Sequence, residues 1–140
     1  MSNPSDPIPQ ILDASGALAA AEKLIAAAWP DAAGEYSTEF WKAAASGPLA
    51  AILYTVAATR RADGIAAARQ IVADIDRAYP ATDGREWTEV ADRCPNQFLA
   101  QCLRSIAAMN TRQRDSIYWV VTRALGPPPP AGAPIVVLSP

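Results

Sequence analysis

Thirty-one of the 140 residues are alanine, and they recur in periodic segments rather than as one tract. Alanine is the best helix former, so propensity summed over such segments favours an all-α chain. The apolar residues agree. Ile65, Ala68, Val72, Ile75 and Tyr79 repeat at steps of three and four, as do Phe98, Leu99, Cys102, Leu103 and Ile106, which is the spacing of one helix face. The chain is predicted to be a compact bundle of about five or six helices over residues 13–126. An irregular lead-in precedes it over 1–12, and a Pro-rich tail follows over 127–140.

The punctuation marks the elements. Asp13 or Ser15 can cap a first helix ending at Trp29-Pro30, with Leu18, Ala21, Leu24, Ile25 and Ala28 inward. Ser37 is a plausible N-cap for the second, whose apolar positions are Trp41, Ala45, Leu49, Ile52, Leu53 and Val56. Gly47-Pro48 in its middle predicts a kink or a break. Asp63 is expected to cap a third helix that Pro80 stops, and a short fourth runs from Asp83 to about Asp92 with Trp87 and Val90. Pro95 suits the first position of a fifth. Asn110-Thr111 caps a sixth, in which Ile117, Val120, Val121, Ala124 and Leu125 face inward and Gly126 ends the helix. Pro127–Pro130 reads as polyproline II. Ile135–Leu138 has strand composition but no partner strand elsewhere.

Composition excludes whole classes of chemistry. There is no histidine, which removes Ser-His-Asp and Cys-His catalysis and histidine-ligated metal. Cys94 and Cys102 cannot build a zinc site unaided. On one helix they would lie about 80° from facing each other and too far apart to bond, so they are expected as reduced thiols. No phosphate-binding glycine loop occurs. Asp74 and Asp76 would project about 200° apart on a helix, and Glu86 and Glu89 read as solvated surface. No enzyme, metal or cofactor is expected. The N-terminus lacks a signal-peptide pattern, and the longest apolar stretch, 48–58, is short of the ~20 residues that span a bilayer. The expectation is a cytoplasmic protein without membrane insertion.

Charge is uneven. Residues 1–92 carry seven basic and thirteen acidic side chains, net −6, whereas 93–140 carry five arginines against Asp115 alone, net +4. Such asymmetry can mark a binding face. Arg112 and Arg114 fall in the first turn of the sixth helix, where a cation opposes the helix dipole at a cost of a few tenths of a kcal/mol. Arg104, Arg112, Arg114 and Arg123, with Tyr118 at the rim, are therefore the candidate partner- or DNA-binding residues. Read as surface groups, Arg112 and Arg114 should accept charge reversal with stability kept within about 0.5 kcal/mol. A net charge of −2 argues against direct DNA binding as the main activity. Trp41 and Trp119 are assigned to the core.

Two stretches together resemble a known family. One is Glu39–Ala58, opening on Phe40-Trp41; the other joins Phe98–Leu103 to Thr111–Leu125, with Trp119 to Leu125 reading Trp-Val-Val-Thr-Arg-Ala-Leu. The pair resembles the all-alpha domain of type IV coupling proteins, the conjugative DNA-transfer ATPases, in their actinobacterial form. The resemblance spans roughly residues 13–126. It implies a substrate-recognition module that docks a relaxase, a relaxosome accessory protein or the DNA they carry. The chain departs from the plan of the whole family protein in having no membrane helices and neither Walker motif, so it resembles the recognition domain alone, and no ATPase activity of its own is expected. Whether as an excised domain or a separate protein, the isolated chain is expected to be monomeric. The alternative is a stand-alone phage- or plasmid-encoded protein that mimics or inhibits the coupling domain. The family defines no catalytic residue here, and Phe40, like Trp41 and Trp119, is expected in the core.

Overall fold

The computed structural model describes residues 6–28, 36–77 and 85–126, and these are all-helical, with no strand among them. The six helices are α1 (Ala14–Ala28), α2 (Tyr36–Thr59), α3 (Ile65–Arg77), α4 (Arg85–Arg93), α5 (Gln97–Ala107) and α6 (Thr111–Leu125). The proline run and the Ile135–Leu138 segment lie outside the described residues, as do Trp29-Pro30, Tyr79, Pro80 and Asp83.

The bundle is organised around α2, which packs against all five other helices. The reason is in its second half. Leu49, Ala50, Ala51, Ile52, Leu53, Thr55 and Val56 are all buried, so this stretch is apolar all round, as a central helix must be. The one polar group among them, the Thr55 hydroxyl, donates to Ala51 O at 2.7 Å. No helix of the described residues is long and apolar enough to cross a membrane.

Of the kink or break expected at Gly47-Pro48, the break does not occur: α2 runs through both. Magnitudes explain why. An interior proline costs about 3 kcal/mol, while burying each of Leu49, Ile52, Leu53 and Val56 is worth about 1.5–3 kcal/mol. Packing of the following turns outweighs the lost hydrogen bond. Gly47 serves a different purpose. A β-carbon placed there would sit 2.9 Å from the Cys102 sulfur, so the glycine sets how closely α2 and α5 approach.

The helix ends are capped with some changes of partner. Asp13 caps α1, its carboxylate accepting from Gly16 N at 2.7 Å. Ser37 lies inside α2, so it does not precede the first turn. Asp63 closes a 3-10 turn at Arg61–Asp63 instead of capping α3. That role falls to Asp6, whose two carboxylate oxygens accept from Ile8 N and Ile65 N, each at 2.9 Å. Gly64 at φ 65° makes the turn that brings the start of α3 to Asp6. Within the lead-in, Ile8–Gln10 form a 3-10 turn that buries Ile8. Arg61 fixes it by donating to the carbonyls of Ile8, Pro9 and Ile11 at 3.2, 3.1 and 2.7 Å.

Pro95 does not start α5. Asn96 is the N-cap, accepting from Leu99 N at 2.9 Å. Asn110 caps α6 in a full capping box with Gln113, and Gly126, at φ 86°, ends it.

Candidate partner-binding face

A helix ends with carbonyls that have no intrahelical partner and with a partial negative charge. In this bundle arginines fill that need repeatedly. Arg69 of α3 donates through Nε to Leu125 O at 2.6 Å, closing α6. Arg123 of α6 donates through Nε to Ala28 O at 3.2 Å, closing α1. Arg114 donates from one guanidinium nitrogen to Ala107 O at 3.2 Å and also to Met109 O, closing α5.

This alters the standing of the sequence candidates. Arg114 is only 8% exposed, so it belongs to the interior of the α5–α6 corner and is not a contact residue. Its place in the first turn of α6 opposes that helix's dipole. The chain reverses over Ala108–Asn110, however, so the same side chain meets the carbonyl end of α5, where a cation is stabilising. The expectation that charge reversal at Arg114 leaves stability intact falls with it. Arg104 pairs with Asp92 of α4 at 3.1 Å, both groups exposed. Tyr118 is half-buried, packed against the core edge. Arg112 is exposed.

The structure also corrects three aromatic assignments. Trp119 and Phe40, assigned to the core, are 51% and 57% exposed, and Phe98, expected on the buried face of α5, is 66% exposed. Spacing accounts for each. Trp119 stands two residues from both Ile117 and Val121, hence about 200° round the helix from them. Phe40 is nine residues before Leu49, about 180° from it, and Phe98 lies about 100° from Leu99. Trp41 is half-buried and meets the Phe40 ring edge-on, centroids 4.9 Å apart at 81°.

What remains is one face of α6. Arg112, Ser116, Trp119 and Arg123 follow at steps of four, three and four, so they form a single row. The Arg123 guanidinium lies over the indole of Trp119, 5.9 Å from the ring centroid. This contact and the hydrogen bond to Ala28 hold the arginine at the indole face. The row combines a large aromatic surface with guanidinium groups, the side chains most enriched where proteins dock. Arg104 is on α5 and not part of it. Sequence reasoning named Arg112 and Arg123 but missed Trp119; its position off the Ile117–Val121 stripe was the available signal.

Cys94 and Cys102 are both free. They do not share a helix: Cys94 lies in the α4–α5 turn and Cys102 within α5. Burial, and then the neighbouring Cys94 thiol, push the Cys102 thiol above its ordinary range, partly offset by a backbone hydrogen bond. Among the described residues no group of three or more acidic or cysteine side chains is placed to hold a metal ion.

No protein-family model, curated protein or solved structure matches the chain.

Proposed function

We propose that the chain is the substrate-recognition module of a conjugative DNA-transfer coupling system, docking a relaxase or relaxosome accessory protein and carrying out no chemistry itself. The observation that carries the reading is the exposure of Phe40 and Trp119. They are two of the three aromatic residues on which the resemblance to the coupling-protein all-alpha domain rests; the third, Trp41, is half-buried against the core. Side chains that a bundle needs only for its own packing would be inside it; these two are available to a partner. The contact face on this reading is the α6 row of Arg112, Trp119 and Arg123.

The same geometry favours a protein over DNA as the principal target. Non-specific affinity for DNA grows with the number of phosphates neutralised. Arg114 is used inside the fold, Arg104 is paired with Asp92, and Arg123 is tied to Ala28 and Trp119. The net +4 of residues 93–140 is therefore largely committed to the protein's own helix ends and ion pairs.

The test is affinity capture with the tagged chain from cells carrying the source element, with partners identified by mass spectrometry. The proposal expects a relaxase or an accessory protein of the relaxosome. Recovery of the coupling ATPase itself would instead support the mimic or inhibitor, and an unrelated host protein would remove the docking assignment. Titration of labelled single- and double-stranded oligonucleotides at stepped salt addresses DNA. The proposal expects weak binding with a shallow salt slope.

A further inference from the structure

On a different surface, α4 and α5 border an open groove of about 580 Å³. Small residues, Ala91 and Ala100, contribute to its lining, and Phe98 stands at it with two thirds of its surface in solvent. The polar groups around the ring come with their own complements. Asp92 and Arg104 carry opposite charges 3.1 Å apart. Gln97 and Gln101, one turn apart on α5, also line the groove, and each side-chain amide both donates and accepts.

A two-fold interface uses the same patch on both subunits, so the patch must be complementary to itself. This one carries both members of an ion pair, Asp92 and Arg104. An acidic partner would set a like charge against Asp92 and a basic partner against Arg104, a repulsion that selects against both. A second copy related by a two-fold axis meets neither penalty, because each carboxylate can face the other copy's guanidinium. We infer that the α4–α5 groove is where a second copy of this chain docks. Phe98 of each copy enters the other's groove, and Asp92 and Arg104 re-pair across the axis. The surface is separate from the α6 row, and the inference does not depend on the proposed function.

One ring and one ion pair from each copy are a small part of the ~1,200–2,000 Å² of total surface that a stable specific interface buries. The dimer is therefore a weak one that fills with concentration. The test is sedimentation equilibrium of the full chain at rising concentrations, from low micromolar to about 1 mM. The average mass should rise from 14.8 kDa towards twice that value. Phe98→Glu should hold it at the monomer mass throughout. The helical circular dichroism and melting temperature should be unchanged, because Phe98 is not part of the core. Arg104→Asp should also give monomer, and adding Asp92→Arg should restore association by reversing the pair. A monomer at the highest concentration overturns the inference. So does a dimer that survives Phe98→Glu, or a reversed pair that fails to restore association.

Discussion

Two arginines separated by one residue do different work. Arg112 projects into solvent, while Arg114 satisfies the end of α5 from within the corner. Arg112→Glu should change stability by less than about 0.5 kcal/mol. Arg114→Met should cost about 1–3 kcal/mol, because it strips charge-assisted hydrogen bonds from the carbonyls of Ala107 and Met109. Chemical denaturation of the two variants side by side decides this; equal, small losses would return Arg114 to the surface. Cys102 supplies a pH test. Its thiol is raised in the fold, so the folded state prefers the protonated form. The stability this contributes is complete below the unfolded thiol value of about 8.5 and is lost as pH rises through the higher folded value. Cys102→Ala should flatten the alkaline side of the stability profile. At pH 8 the native thiol should also react more slowly with a thiolate-selective reagent than it does in denaturant.

At the scale of elements, close approach and capping matter more than propensity. Gly47→Ala should raise the helix propensity of α2 by up to about 1 kcal/mol. It should nevertheless destabilise the protein, because the new methyl meets the Cys102 sulfur and overpacking costs about 1–3 kcal/mol. Combining it with Cys102→Ala should return most of the loss, which thermal melts of the single and double variants will show. Asp6→Ala should cost about 0.5–2 kcal/mol, the range for loss of an N-cap. Amide exchange should quicken first at Ile8 and Ile65, the two groups that the carboxylate holds. Elements of this kind divide sharply in how legible they are. The helices and most of their buried faces follow from spacing, as with Ile65, Ala68, Val72 and Ile75 on α3. The Asn110 cap and the Gly126 terminus follow from local residue preferences. Asp6 reaching α3, Arg61 holding the lead-in and Gly47 admitting Cys102 join segments far apart in sequence, and local pattern carries no trace of them. Pro48 shows the converse: the helix break that its chemistry allows is prevented by burial of the turns that follow.

At the scale of the whole molecule, the separation of acidic and basic halves first reads as a binding surface. Much of it is internal bookkeeping of helix ends: Arg114 and Arg123, with Arg69 from the acidic half, each close a different helix. The candidate face shrinks to one side of α6, and its main aromatic, Trp119, was hidden by the habit of placing tryptophan in cores. Residue type pointed inward and residue spacing pointed outward, and spacing was the better guide because it encodes direction. The central claim is that partner recognition runs through this face. The most direct measurement is the affinity of the captured partner for the native chain and for Trp119→Ala with Arg112→Glu, with thermal melting to verify the fold. The account predicts at least a tenfold weaker complex, about 1.4 kcal/mol, with the melting temperature little changed. Native affinity in the folded variant would contradict it and place the interface elsewhere.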